Sequence, residues 1–578
     1  MDALEYISTS IVTILVLASY LLLLSIFHHA FQAFLSAGIL GPLVLGAIYA
    51  RPLANILLPD VQSAVLAIGY LGLILLIVQG GLDARIDILS SPRNLAISAL
   101  VGATGVVFPI GISMALLPAG FGYDYLESFA VGAALASTSL GTTFAVLGSF
   151  NKSSETPGSG EDSTNADDAK HGIADTRIGA ILIGAALLDD VVGLVIFSVI
   201  STLGPAQQGG LSAIRPWKIA RPIVASALLL IVSWLLARFA LGPIARLLAS
   251  RFAHSSSSHS IAQHLSTGST TTVAGKIKTR LLRDRAAQQL LAVTLLVSTV
   301  LAYSVISEEI GSSLLIGAFS SGATMKYVYT CFTRHDSDPR GASDRHRDSP
   351  WSPDYLVSAS TPLGTVQDVI LVPFFFSSIG SAIPVKSMFD GTTVWRGIIF
   401  AGLMAFAKVC TGGWVHVADW IELRVTRRAC QKERQKQGQA GVDAAGGNGP
   451  VDVANPIEMQ QGNNGTFRSI IINDRVAAAD LGTEDYSRTD FVESAPVWPA
   501  SLFLGTALMS RGEIGFLVIN IAYQGGLLSE QAFNVGIWAI VLNTLVGPVS
   551  IGTLMRTQHG QNLLLRGTSS ITHGGRWT

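Results

Sequence analysis

Apolar stretches long enough to cross a membrane recur along this 578-residue chain from Ile11 almost to its C-terminus. Crossing a hydrocarbon core takes roughly 20 apolar helical residues. On that template the pattern predicts about 13 helical spans. The first four are Ile11 to Phe27, Phe31 to Ala50, Val61 to Leu82 and Leu95 to Leu117, joined by short connections. Phe129 to Phe150, Ile178 to Leu203, Pro222 to Leu236, Leu290 to Ile306 and Ile310 to Thr324 follow, the last two readable as one broken hairpin. Val369 to Ile383, Gly397 to His416, Pro499 to Tyr523 and Phe533 to Leu554 close the set. An odd number of spans puts the termini on opposite sides.

The connections carry the charge, and its placement predicts orientation, because basic residues resist translocation. One side receives Arg85, Arg93, Lys152, Lys170, the Arg246 to Arg285, Lys326 to Arg347 and Arg424 to Arg488 connections and the tail. That side holds roughly 30 of the 38 basic residues. The other side has Arg51, Arg215, Lys218, Arg221, Lys386 and Arg396, with Glu308 and Glu309 in one short turn. The N-terminus is therefore expected outside or lumenal, and the C-terminus cytosolic. One membrane domain is predicted over residues 11–556, with cytosolic loops at 151–175, 239–285 and 326–362, a disordered insert at 421–497 and a tail at 557–578. The Ser-rich and Gly/Gln-rich composition of the long loops lies behind the disorder reading. Asn151-Lys152-Ser153 and Asn464-Gly465-Thr466 match the glycosylation triplet, but their cytosolic placement predicts that neither is modified.

Composition sharpens this picture. The chain is 49% hydrophobic and 13% charged, which excludes an ordinary soluble domain of this size. Its formal net charge of −1 gives no reason to expect a nucleic-acid partner. Cys331, Cys410 and Cys430 offer no metal or disulfide spacing and are expected as free thiols. The stretch Ile11 to Phe27 lacks a basic n-region and reads as a first span rather than a cleaved signal. No nucleotide-binding pattern and no cofactor motif emerges.

Ionisable residues inside a bilayer are costly and call for a partner, a cavity or a function. The clearest case is Leu187-Leu188-Asp189-Asp190-Val191-Val192-Gly193, two carboxylates with apolar flanks on both sides. Neighbouring helical residues point about 100° apart, so one carboxylate can face a cavity while the other meets a partner. The competing reading is a polar patch at a span end. Asp167-Asp168, the same dipeptide beside Asn165 and Lys170, illustrates the solvated case. Ala136-Ser137-Thr138-Ser139-Leu140-Gly141-Thr142-Thr143 is a polar small-residue run within an apolar span. It either packs against neighbouring helices or unwinds, freeing carbonyls and hydroxyls for a cation. Lys408 lies too deep to snorkel and wants a carboxylate. Met509-Ser510-Arg511-Gly512-Glu513 brackets a glycine with opposite charges, the pattern of a second broken helix whose exposed ends a local charge pair would neutralise. Its competing reading is two charges at a span edge.

These residues resemble the monovalent cation/proton antiporter superfamily, the sodium/hydrogen exchanger family, in its paired-aspartate branch. The resemblance runs through Leu71 to Leu76, Gly80-Gly81-Leu82-Asp83, Thr138-Ser139, Asp189-Asp190, Val372-Pro373-Phe374-Phe375-Phe376, Lys408 and Arg511-Gly512-Glu513, in that order. It implies an all-α polytopic fold with inverted repeats, two crossing broken helices, a six-helix core and a dimerisation bundle. The predicted topology agrees, since the fourth to sixth and eleventh to thirteenth spans run in opposite senses. The resemblance further implies Asp190 as the principal cation- and proton-binding carboxylate and Asp189 as the partner of Lys408. Thr138 and Ser139 would line the site, while Arg511, Gly512 and Glu513 would stabilise the second crossing. It also implies no enzymatic activity, a homodimer, a role in pH homeostasis, and electrogenic exchange of two protons per sodium ion. The inserts at Asn151 to Asp175 and Arg424 to Ser494 depart from compact members and suggest regulatory or partner-binding additions in a eukaryotic protein. The plasma membrane is the expected residence, with endosomal or vacuolar membranes as the alternative.

Burial disfavours an ionised carboxylate, so one intramembrane site can take a proton or a cation in turn. Moving an empty, unpaired pair of carboxylates is costly, and that cost couples the two fluxes. The rival within transport is an electroneutral or potassium-selective exchanger, with lithium a further possible cargo. The rival of another class is an intramembrane aspartyl protease, which needs carboxylates from two helices on one water. Adjacent Asp189 and Asp190 argue against it. A sensor or scaffold without transport leaves Lys408 and both aspartates unexplained.

Overall fold

The structure is a computed structural model, and it describes residues 10–35, 37–50, 53–84, 92–139, 177–207, 216–247, 285–333, 351–358, 360–421, 424, 425, 428 and 498–557. Among these the chain is helical, with no strand. Helices α1 (Ile11–Leu35), α2 (Leu40–Tyr49), α3 (Pro59–Leu82), α4 (Pro92–Leu116) and α5 (Tyr125–Ala134) come first. They are followed by α6 (Arg177–Gln207), α7 (Pro216–Leu236), α8 (Arg285–Glu309) and α9 (Leu314–Thr333). Short helices α10 (Pro353–Val357) and α11 (Pro362–Val366) lead into α12 (Val372–Ser381), and α13 (Val385–Met388) precedes α14 (Gly391–Thr411). The chain closes with α15 (Trp498–Ala507), α16 (Glu513–Gln524) and α17 (Glu530–Met555).

Nine described helical segments are long and apolar enough to cross a membrane. The other four predicted spans fall on helices that are shorter, interrupted or, for α9, less apolar. Half of Phe31 to Ala50 belongs to α1 or the turn after it, leaving the ten residues of α2. Helix α5 stops at Ala134, α9 has 20 residues, and Pro499 to Tyr523 divides into α15 and α16. The suspected broken hairpin over Leu290 to Thr324 is two whole helices, α8 and α9, joined by a turn in which Gly311 takes φ 86°.

Several boundaries move. Helix α9 runs on to Thr333, so the loop predicted from 326 starts later and Cys331 sits on a helix. The tenth segment begins at Pro353 rather than Val369. Pro353 and Pro362 each open a new helix, where a missing N–H costs nothing, and the Thr361 hydroxyl caps α11 by accepting from the Gly364 N–H at 3.2 Å. Gln367 and Asp368 follow within a π-helical turn, polar residues that hide a helix from a hydropathy reading. A second π-helical turn carries the seventh segment past Leu236 to Leu247, into the loop predicted from 239. Asn151, Asp167, Asp168, Cys430, Asn464 and most of the predicted inserts lie outside the described residues.

Two groups of helices can be told apart by what they touch. Helices α4, α5, α6, α14, α15, α16 and α17 pack around one another, while α1, α2, α3, α8, α9 and α12 form a second set. Close backbone approach holds the second set together. A Cβ on Gly46 of α2 would stand 2.0 Å from the Ser377 carbonyl oxygen, and one on Gly380 of α12 would stand 1.9 Å from that of Leu43. Small residues serve this purpose where helices associate without a hydrophobic drive. Helix α1 covers this set and leaves most of its apolar surface uncovered, whereas most of α6 is buried. Asp189 and Asp190 therefore lie on the most covered of the nine apolar segments.

Candidate functional site

Asp189 and Asp190 occupy the middle of α6, and the helix turns them apart as the 100° step requires. Asp189 is 1% exposed and Lys408, from α14, is fully buried. Lys408 Nζ donates to Asp189 Oδ2 at 2.6 Å and to Thr138 Oγ1 at 3.0 Å. Thr138 Oγ1 in turn donates to Asp189 Oδ2 at 2.7 Å. The three groups close a triangle in which the buried ammonium and carboxylate compensate one another, as charges out of water must. Helix α4 lies over this triangle because Gly105 has no side chain: a Cβ there would sit 3.1 Å from Lys408 Nζ and 3.3 Å from Asp189 Oδ1.

Asp190 is only half-buried and turns toward the end of α5, where Ser137 Oγ donates to its Oδ1 at 3.4 Å. Glu513, Asp189 and Lys408 are the charged groups around it. The aspartates thus have separate surroundings, one sealed with a lysine and one open to a second carboxylate.

The end of α5 and the break between α15 and α16 meet here. After Ala134 the chain leaves the helix through Leu135–Ser139, and after Ala507 it does so again until Glu513 opens α16. The broken ends cap each other. The Ser139 N–H donates to the Ser510 carbonyl at 2.9 Å, and Arg511 Nη1 donates to the carbonyls of Ala136 at 3.2 Å and Ser137 at 2.8 Å. Thr544 Oγ1 of α17 donates to the Arg511 carbonyl at 2.9 Å. A Cβ on Gly512 would meet that of Ser139 at 2.6 Å, so this glycine is what lets the two strands of the crossing touch.

Arg511 and Glu513, expected to neutralise exposed helix ends, each stand at one: the Arg511 guanidinium reaches across to the end of α5, while Glu513 stands at the α16 N-terminus, where the helix dipole favours a negative charge. Of the carbonyls around the break at Thr138, those of Ala136 and Ser137 accept from Arg511. Thr138, Asp189 and Lys408 come together in one triangle. Ser139 serves the crossing through its backbone, and Asp190 looks to Ser137 instead. Ser137 and Gly105 were not singled out from sequence. The first stood unremarked beside Thr138, and the second lies in the run Gly102-Ala103-Thr104-Gly105, whose small residues signal a close helix contact.

The family model described as sodium/hydrogen exchanger, transmembrane, matches residues 12–428. The chain belongs to the sodium/hydrogen exchanger family. Of this exchanger-family chain, 162 residues are 30% identical to the high-affinity Na(+)/H(+) antiporter NhaS3 of Synechocystis sp.. That match spans 28% of the chain and 30% of the relative's length. The sodium proton antiporter MjNhaP1 of Methanocaldococcus jannaschii superposes on this chain with a TM-score of 0.49 at 14% identity, over 96% of this chain and 98% of that one.

Proposed function

We propose that the protein is a secondary active antiporter that exchanges a monovalent cation, sodium in preference to lithium or potassium, for protons by alternating access. The observation that carries this reading is the division of labour on α6: Asp189 held by Lys408 at 2.6 Å, Asp190 half-buried at the crossing of two broken helices. An available carboxylate in a membrane can hold a proton or a cation, and either one lowers the cost of carrying it through the barrier. Family membership and the NhaS3 match support the same chemistry.

The buried lysine supports an electrogenic cycle. A cation arriving at Asp190 displaces its proton, and the added positive charge weakens the hold of Asp189 on the Lys408 ammonium, so a second proton can leave from Nζ. The excess of basic residues in one set of connections supports a cytosolic C-terminus and an outside N-terminus. A homodimer in the plasma membrane completes the proposal.

The test is cation-driven pH change in proteoliposomes with sodium, lithium and potassium, for wild type and Asp190→Asn, with the membrane potential free or clamped. Sodium-driven, potential-sensitive exchange absent from Asp190→Asn is expected. Exchange indifferent to potential would replace the two-proton cycle with an electroneutral one. Folded wild type that exchanges no cation would overturn the antiport reading.

A further inference from the structure

The site holds a third carboxylate that the Asp189–Lys408 triangle does not use. Glu513 is half-buried and opens α16 one residue after the glycine that touches Ser139, and the packing brings that helix start to Asp190. Helix α6 approaches the start of α16 so closely that a Cβ on Gly193 would stand 3.1 Å from Ile514 Cγ2 and 3.4 Å from the Ser137 Cβ. Gly193 lies one helical turn from Asp190 less a residue, on the adjoining face. Ser137, Asp190 and the first residues of α16 are thus gathered at one point.

The other oxygens nearby are largely spoken for. The carbonyls of Ala136, Ser137, Ser510 and Arg511 each accept a hydrogen bond across the crossing, and Thr138 Oγ1 lies between Lys408 and Asp189.

We propose that Glu513 is a direct ligand of the transported cation, forming with Asp190 and Ser137 a two-carboxylate site at the crossing. This rests on the antiport reading and names the ligand set of that same site. Gly512 brings the carboxylate within reach, and the α16 N-terminus steadies it while the site is empty.

The experiment pairs equilibrium binding of radioactive sodium to purified protein at fixed alkaline pH with exchange kinetics in proteoliposomes, for wild type, Glu513→Gln and Glu513→Asp. Glu513→Gln keeps the size and polar end of the side chain and removes only its charge. It is expected to weaken sodium binding and raise the half-saturating sodium concentration by on the order of tenfold, with a smaller change in turnover at saturating sodium. Glu513→Asp is expected to recover much of the affinity and to change the sodium-to-lithium preference, because the shorter arm resizes the site. Sodium affinity within about twofold of wild type in Glu513→Gln would overturn the inference. So would equal losses in both variants accompanied by a lowered unfolding temperature, the mark of a structural role. Wild type that binds sodium through Glu513 yet exchanges nothing would overturn the antiport reading and uphold the ligand.

Discussion

At the scale of single residues the fold places one buried ion pair where most proteins would place none. Lys408 and Asp189 are both sealed from solvent, and each keeps its charge acceptable only through the other and through Thr138. Removing one member of such a pair is strongly destabilising, by about 3–5 kcal/mol, whereas replacing both by neutral groups of similar shape is often harmless. Lys408→Met should therefore lower the unfolding temperature of the purified protein markedly at alkaline pH, and Asp189→Asn in the same chain should restore most of the loss. The pair is read by comparing the single and double variants in one thermal series. Equal destabilisation by the single and the double substitution would mean that Asp189 is compensated by another group, for which Arg511 is the nearest candidate in charge. Asp190→Asn is expected to behave in the opposite way, abolishing exchange with little effect on unfolding, because its carboxylate is less buried than that of Asp189 and holds only a long hydrogen bond from Ser137.

At the scale of elements the decisive feature is a pair of helices that stop in mid-membrane and satisfy one another. An interrupted helix exposes carbonyl groups that no water reaches, and each one left bare costs about 1–3 kcal/mol. Arg511 covers two of them at the end of α5. Arg511→Ala is predicted to cost stability and exchange together, and Arg511→Lys to recover only part, since an ammonium lacks the planar fork of a guanidinium. Unfolding temperature measured beside transport checks this, and exchange lost at unchanged stability would assign Arg511 to the ion rather than to the crossing. The breaks themselves were legible. Small polar residues around Thr138 and a glycine between charges at 511–513 disturb otherwise apolar runs, and burial is costly enough for Asp189, Asp190 and Lys408 that sequence alone brings them to one site. What sequence hid was direction. Arg511 and Glu513 are two positions apart and read as a pair, but the extended backbone at Gly512, φ −140° and ψ −150°, leaves them with different neighbours. The α10–α12 segment was hidden for a different reason: prolines and Gln367 look like a loop when helices are recognised by apolar length alone, although membrane helices tolerate both when neighbours satisfy the backbone.

At the scale of the whole molecule, exchange by alternating access needs the group of helices holding the site to move against the other group. The division found here gives that motion a surface on which to test it. Phe376 of α12 and Phe516 of α16 meet edge to face with centroids 6.3 Å apart, one from each group. Both rings are fully buried, so a displacement of one helix group along the other must break this contact and make another. Cysteines at these two positions, in a chain whose Cys331, Cys410 and Cys430 are replaced by serine, can be joined by a short reducible bifunctional thiol reagent. The joined protein is predicted to bind sodium with little change in affinity, because neither position is one of the proposed ligands Ser137, Asp190 and Glu513, and to exchange it far more slowly. Cleaving the link should restore exchange to the level of the unlinked double variant. Exchange that continues at full rate across an intact link would mean that access alternates through smaller movements, with the crossing at Ser139 and Gly512 opening and closing inside a helix group that itself stays still.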